Sequence, residues 1–245
     1  NLLTVTKFIF GKEEKNAPEL AKAEAKTEYY EGGRIKSTTT YVNGLPEGTK
    51  REFSEEGKIL SAKIYKEGVL IGEGIEDESG KQQGLWKEYH PGGELKAQGE
   101  YKEGNRTGEW VFTHPNGKTE QKGKYDKRGR AQGIWKWYYE NGLVLREENY
   151  EDDIREGTMT EYDTTGKIIT KGDFLDGKRE GMWIYELGDF KEEGTYKNDV
   201  KDGNWKSWWL DNGKLRFEGA YIDGNENGKH IYYFHHRHYQ QIYLI

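Results

Sequence analysis

Four histidines lie close together near the end of the chain, and imidazole groups at such spacing can bind a metal ion. They are His230, His235, His236 and His238. Imidazole nitrogen is a common ligand of Zn²⁺ and Ni²⁺. No acidic or thiolate ligand is close to them in the sequence, and the chain has no cysteine. We therefore predict no metal and no cofactor, with His235, His236 and His238 as the weak candidates for a metal site.

Carboxylates are abundant, but their placement does not resemble a catalytic pair. Asp and Glu occupy polar positions of short repeated segments, whereas acid–base catalysis needs a carboxyl group on an apolar wall that raises its pKa. The glycines do not form a phosphate-binding loop between a strand and a helix. No serine lies in a nucleophile elbow. The sequence therefore predicts that the protein is not an enzyme.

Overall charge and hydropathy exclude further classes. The net charge is −6 and the basic residues are spread evenly, so we expect no nucleic-acid partner. No apolar run approaches the roughly 20 residues of a membrane-spanning helix, although contact with a membrane surface stays open. The chain begins with Asn1 and lacks cysteine. These features favour an exported or cell-envelope protein, with a cytoplasmic one as the alternative.

The stretch 84–108 contains the clearest structural pattern, which predicts a β-hairpin. The Gly92-Gly93 pair suits the positive φ angles of a tight turn. Apolar residues and glycine then alternate with polar residues, most of them charged, which is typical of a strand with one buried face. A two-residue loop places Trp86 opposite Gly99. We expect the indole ring to cover the bare backbone of that glycine across the hairpin.

The same hairpin recurs along the chain. Its turn glycines are Gly33, Gly57, Gly93, Gly117, Gly142, Gly166, Gly188 and Gly213. Successive spacings are 24, 36, 24, 25, 24, 22 and 25 residues. Eight positions after each turn glycine comes an aromatic residue. In five repeats a second glycine, which we call the lock glycine, lies six positions after the turn glycine. Matches at a nearly fixed period indicate a repeat array.

The array divides the chain into three predicted segments. Residues 1–26 form an N-terminal cap, in which 18–26 can begin a short helix or form a strand. Residues 27–228 form the hairpin array, and 229–245 form an atypical capping repeat. The long spacing after Gly57 reflects an insertion near 69–83. We favour a degenerate hairpin or a bulging loop over a break in the array.

The pattern G-x-W-x-x-Y, then N-G or G-G, then L-x-x-x-G-x-Y resembles the MORN repeat. It is most similar to the variant form found in YwqK-type bacterial antitoxins, and the resemblance covers roughly residues 27–228. It implies stacked antiparallel hairpins and roles in protein binding, including neutralisation of a toxin; membrane-lipid contact is proposed for some MORN proteins. Lys26, Lys50 and Met159 depart from the family at the Trp position, and Glu148 departs at the lock glycine.

Aromatic residues provide the candidate binding site. The lock tryptophans, which are those expected to cover a lock glycine, share the apolar face, so we interpret them as packing residues. They are Trp86, Trp110, Trp135 and Trp205. A second aromatic stripe is predicted on the opposite, charged face: Tyr29, Phe53, Tyr89, Tyr138, Tyr162 and Trp208. These rings either pack beneath Lys and Glu side chains, with cation–π contacts, or form an interface hot spot. The partner-binding candidates are Tyr89, Tyr138, Tyr162 and Trp208.

The fold class predicted from these patterns is all-β, an elongated array of antiparallel β-hairpin repeats forming one twisted sheet or an open trough. The predicted function is that of a non-catalytic protein–protein interaction module whose partner is another protein. Its specific form is a structural or accessory subunit of a bacterial cell-envelope assembly. The alternatives are an antitoxin or immunity protein that blocks a toxin, and a binder of lipid or glycan surfaces.

Overall fold

The computed structural model describes the backbone of residues 7–9, 12–14, 23–234 and 240–244, and the side chains of 23–234. All regular structure in these residues is antiparallel β-strand, without a helix, which confirms the all-β hairpin prediction. None of the described residues forms a helix suited to crossing a bilayer. The chain divides into two compact units, 1–118 with 127–129 and 119–126 with 130–245.

The strands of the first unit are β1 (Lys7–Ile9), β2 (Lys12–Glu14), β3 (Ala23–Tyr29), β4 (Ile35–Val42), β5 (Leu45–Phe53), β6 (Ile59–Lys66), β7 (Val69–Glu76), β8 (Gln82–Tyr89), β9 (Leu95–Lys102) and β10 (Asn105–Thr113). β1 pairs with β2. From β3 to β10 each strand pairs with the next along the chain. The helical alternative for 18–26 is wrong at Ala23–Lys26, because these residues belong to β3.

The strands of the second unit are β11 (Thr119–Tyr125), β12 (Ala131–Tyr138), β13 (Val144–Glu151), β14 (Ile154–Arg155), β15 (Gly157–Tyr162), β16 (Ile168–Leu175), β17 (Lys178–Leu187), β18 (Phe190–Lys197), β19 (Val200–Trp209), β20 (Leu215–Ile222), β21 (Asn225–Tyr233) and β22 (Gln240–Leu244). Consecutive strands are again antiparallel neighbours, except that β14 and β15 both pair with β13. A buried cluster forms the core of this unit: Met159, Phe174, Trp183, Tyr196, Trp205 and Phe217.

The hairpin between β8 and β9 confirms the predicted register but not the predicted loop. Trp86 is the backbone partner of Gly99. The turn is longer than two residues, because the His90 N–H donates to Glu94 O at 2.8 Å and the Gly93 N–H donates to His90 O at 2.9 Å. A register shift before Tyr89 accommodates the extra residues. The residue types located the turn correctly, and the backbone hydrogen bonds fix its length.

The indole rings cover a different glycine from the one predicted. A Cβ atom on Gly74 of β7 would lie 2.5 Å from the ring of Trp86, so this ring covers the preceding strand and not Gly99. The cause is a β-bulge at Gly84, which has a φ of 62° and beside which the β7–β8 register shifts. A bulge redirects the side chains that follow it, here that of Trp86. The same relation links Gly99 to Trp110, Gly123 to Trp135, Gly172 to Trp183 and Gly194 to Trp205.

The inserted residues near 69–83 add one complete strand. β7 pairs with β6 on one side and β8 on the other, so the interpretation as a bulging loop is wrong. Successive turns of an antiparallel meander lie at alternate edges. One extra strand therefore moves the repeat turns that follow to the opposite edge of the first unit.

The extra strand also exchanges the two faces of the first unit. Directly paired residues share a face, and one such row runs through Lys50, Lys63, Glu73 and Lys87. Lys87 points away from the face of Trp86, because neighbours along a strand alternate. Counted from the turn glycine, however, Lys50 occupies the same position in its repeat as Trp86 does in the repeat around Gly93. The first two repeats are therefore inverted relative to those that follow in this unit.

Candidate interaction surfaces

In each unit we call the side that carries the Trp rings the indole face and the other side the opposite face. On the indole face of the second unit the rings form a ladder of edge-to-face contacts. Ring centroids lie 6.0 Å apart for Trp183 and Tyr196 and 5.0 Å apart for Tyr196 and Trp205. Aromatic pairs favour this geometry. The Trp205 Nε1–H donates to Thr195 O at 3.0 Å, so the polar edge of the indole is satisfied.

Cationic side chains cover the ladder. The Arg179 guanidinium lies 3.9 Å from the ring centroid of Tyr196, and the Lys201 ammonium lies 3.8 Å from that of Trp205. Cation–π attraction holds these groups in place. Burial raises the pKa of Tyr196, with a further contribution from its hydrogen bond to Tyr185. The groups of this face thus contact one another, which supports the interpretation of the lock tryptophans as packing residues.

His230 takes the place of a tryptophan in the last described hairpin. It is completely buried, and a Cβ on Gly219 would lie 2.7 Å from its Nδ1. Its Nε2 lies 2.8 Å from Ala220 O; a carbonyl only accepts, so Nε2 carries the proton. Gly228 has a φ of 75°, as a bulge glycine does. The motif G-x-H at the position of G-x-W was the signal in the sequence.

The predicted histidine cluster can be followed only in part. His235, His236 and His238 lie outside the described residues. Within the part of the chain that the structure describes, no group of three or more His, Cys, Asp or Glu side chains is arranged to hold a metal ion. His230 is committed to the aromatic ladder.

The opposite face of the second unit carries paired charges. The Lys136 ammonium lies 2.5 Å from a carboxylate oxygen of Glu147, and the Lys206 ammonium lies 3.8 Å from that of Glu218. In each pair the two residues are direct cross-strand partners. The hydrogen bond to Glu147 raises the pKa of Lys136. Opposite charges at paired positions stabilise a sheet, so these two lysines are neutralised within the chain.

Three of the four predicted binding residues lie on this opposite face. Tyr138, Tyr162 and Trp208 are all half-buried. The Lys122 ammonium is 5.6 Å from the ring centroid of Tyr138, and that of Lys191 is 5.6 Å from the ring of Trp208. Large rings beside charged groups offer both apolar area and hydrogen-bonding edges to a partner.

Tyr89 lies on the opposite face of the first unit. Its hydroxyl donates to Glu73 Oε1 at 2.5 Å. Burial raises the pKa of Tyr89 to about 12, with a further contribution from Glu73. Tyr29 and Phe53 belong to the inverted repeats, so strand alternation places them on the indole face. The prediction that they share a face with Tyr89 is therefore wrong.

Comparison with known families identifies the repeated hairpin. A family model described as MORN repeat variant matches residues 82–103, 131–152 and 155–176. The first two matches each span two strands and the turn between them, and the third spans β14 to β16. No curated protein matches the chain. These three stretches are thus similar to a repeat family, and the match confirms the resemblance to MORN repeats but not to YwqK-type antitoxins.

Proposed function

We propose that the protein is a non-catalytic module that binds another protein through the opposite faces of its hairpin sheets. The supporting observation is that half-buried rings lie among charges on these faces, at Tyr89, Tyr138, Tyr162 and Trp208. The indole faces hold the hairpins together through the Trp and lock-glycine contacts. MORN repeats are themselves suggestive of a binding or scaffold role.

Two specific forms of this function follow from the sequence. One is a structural or accessory subunit of a bacterial cell-envelope assembly, and the other is an antitoxin that occludes a toxin. Co-expression with the product of a neighbouring reading frame separates them. Rescue of growth supports the antitoxin form, whereas fractionation with the envelope supports the subunit form.

Replacement of the candidate rings tests the proposal. Tyr138→Ser and Tyr162→Ser, combined with Trp208→Ser, remove apolar area from the opposite face of the second unit. We expect weaker capture of the partner, measured by quantitative pull-down with mass spectrometry. The matched control is Leu175→Ser with Ile222→Ser, which removes exposed apolar side chains at strand ends. Equal capture by the wild type, the ring variant and the control would contradict the proposal.

A further inference from the structure

The inversion of the first two repeats produces a row of three lysines and one glutamate on the opposite face of the first unit. Lys50, Lys63, Glu73 and Lys87 follow one another as cross-strand partners from β5 to β8. Lys50 and Lys63 face each other directly, and like charges in this arrangement destabilise a sheet. A local arrangement that costs stability without a packing gain is typical of a functional surface.

The charges of this row are only partly neutralised within the chain. Among the described residues, neither Lys63 nor Lys87 has an ion-pair partner within 4.0 Å. Lys63 acts on Glu52 only through its charge at longer range. The carboxylate of Glu73 accepts a hydrogen bond from Tyr89. Two ammonium groups are therefore left to meet an anionic group from outside the chain.

A recess of about 240 Å³ lies between these two lysines. Its rim on the opposite face consists of Ser61, Lys63, Glu73, Ile75, Leu85 and Lys87, above the backbone of β6 and β7. Two of these side chains are apolar and exposed, Leu85 at 61% and Ile75 at 47%. The recess thus combines an apolar wall with a cation on either side.

We propose that this recess binds an acidic segment of a partner protein, in which an apolar side chain lies between two carboxylates. The proposal rests on the proposed function and specifies the face and the partner chemistry. Lys63 and Lys87 are two strands apart, about 9–10 Å. In an extended segment, two carboxylates four residues apart and an apolar side chain midway between them point to the same face and span about 13–14 Å. The flexible four-carbon stems of the two lysines reach outward to carboxylates at that separation. The net charge of −6 opposes binding of a nucleic acid.

A peptide titration of the full chain tests this site. The probe is a capped peptide with the core Asp-Ser-Leu-Ser-Asp, followed through the methyl resonances of Leu85 and Ile75 at low ionic strength. Control peptides carry Ser-Ser-Leu-Ser-Ser or Lys-Ser-Leu-Ser-Lys. The variant is Lys63→Gln with Lys87→Gln. The matched control is Lys171→Gln, because Lys171 is an exposed lysine of the second unit that pairs with Thr160 and Ile184.

The expected result is saturable shifts with the acidic peptide alone, at least tenfold weaker binding to the double variant, and unchanged binding to Lys171→Gln. The melting temperature of the double variant should stay close to that of the wild type. The substitution at position 63 removes the repulsion with Lys50, and this gain offsets the lost attraction of both lysines to Glu73.

Equal shifts with Ser-Ser-Leu-Ser-Ser, or stronger binding of an oligonucleotide or anionic vesicles, would overturn the proposal. Partner capture that survives the double variant would overturn this site and leave the proposed function intact. Absence of any partner would instead count against the function.

Discussion

Substitution of Gly99 by alanine tests how the indole rings and the lock glycines hold the hairpins together. A Cβ at this position would lie 2.5 Å from Nε1 of Trp110 and closer still to Cδ2 and Cε2. The ring is fully buried and donates from Nε1 to Glu100 O at 3.1 Å. It also contacts the ring of Tyr101 with centroids 5.1 Å apart. The ring has to move, and these contacts change together.

The expected loss of stability is about 3 kcal/mol. Overpacking of a filled site costs about 1–3 kcal/mol. Weakening of the edge-to-face contact with Tyr101 adds about 0.5–1.5 kcal/mol, and loss of the indole hydrogen bond adds about 1 kcal/mol. Partial relaxation of the ring offsets some of this sum.

Gly108→Ala is the matched control, because it lies on the same strand as Trp110 but acts through the backbone. Gly108 has a φ of 66°, and no atom lies within 4 Å of an added Cβ. We expect a cost of about 1–2 kcal/mol from the left-handed conformation alone. Urea unfolding followed by far-ultraviolet circular dichroism measures both variants, with the m-value as a check on two-state behaviour.

Double-mutant cycles identify the ring that covers Gly99. With Trp110→Ala as the background, the added methyl enters vacated space, so Gly99→Ala should cost less than about 0.5 kcal/mol, and the coupling should be about 2–3 kcal/mol. Coupling with Trp86, the backbone partner of Gly99, should be smaller. The reasoning is refuted if Gly99→Ala is no worse than Gly108→Ala, or if Trp86 shows the larger coupling.

Three further predictions concern other contacts. His230→Trp should preserve the fold and raise the melting temperature, since Trp occupies the equivalent position in five other hairpins and buries more apolar area; a lower melting temperature would contradict this. Arg51→Met should cost about 3 kcal/mol in urea unfolding, because the buried Glu76 carboxylate loses its partner at 2.7 Å; adding Glu76→Gln should recover most of it. Tyr89 and Tyr221 have pKa values raised to about 12, mainly by burial. Their contribution to stability is complete below about pH 10 and disappears as the pH rises through about 12. In a titration followed by phenolate absorbance, the Tyr89→Phe and Tyr221→Phe variants should therefore each lack one ionisation step near pH 12.

The hairpins could be predicted from the sequence because apolar and polar residues alternate within each single strand. Leu95, Ala97 and Gly99 alternate with polar residues, and the structure places them in β9. The register of Trp86 with Gly99 followed from the position of the turn. The glycine beneath the ring did not, because the bulge at Gly84 tilts the side chain toward the preceding strand, and a bulge depends on the backbone of both strands.

The candidate site was predictable where repeats follow the regular pattern and not where an extra strand intervenes. Tyr138, Tyr162 and Trp208 lie on the expected face because their repeats follow one another without insertion. Phe53 was assigned to the wrong face because its own repeat is regular and nothing within it reveals the inversion. His230 was grouped with nearby histidines because residue type was weighed before its position in the repeat.

The spacing of 36 residues between Gly57 and Gly93 indicates the inversion of the faces, which no individual repeat reveals. A regular repeat of about 24 residues has two strands and two turns, so each repeat turn returns to the same edge. An insertion of half a repeat adds one strand, and the next repeat turn then lies at the other edge. The chain keeps its handedness, so the change of edge requires a rotation that exchanges the faces as well. Lys50 and Lys63 consequently share a face with Lys87 rather than with Trp86. The basic row and its recess thus follow from the one inserted strand, at the place in the described part of the first unit where the two orientations of the repeat meet.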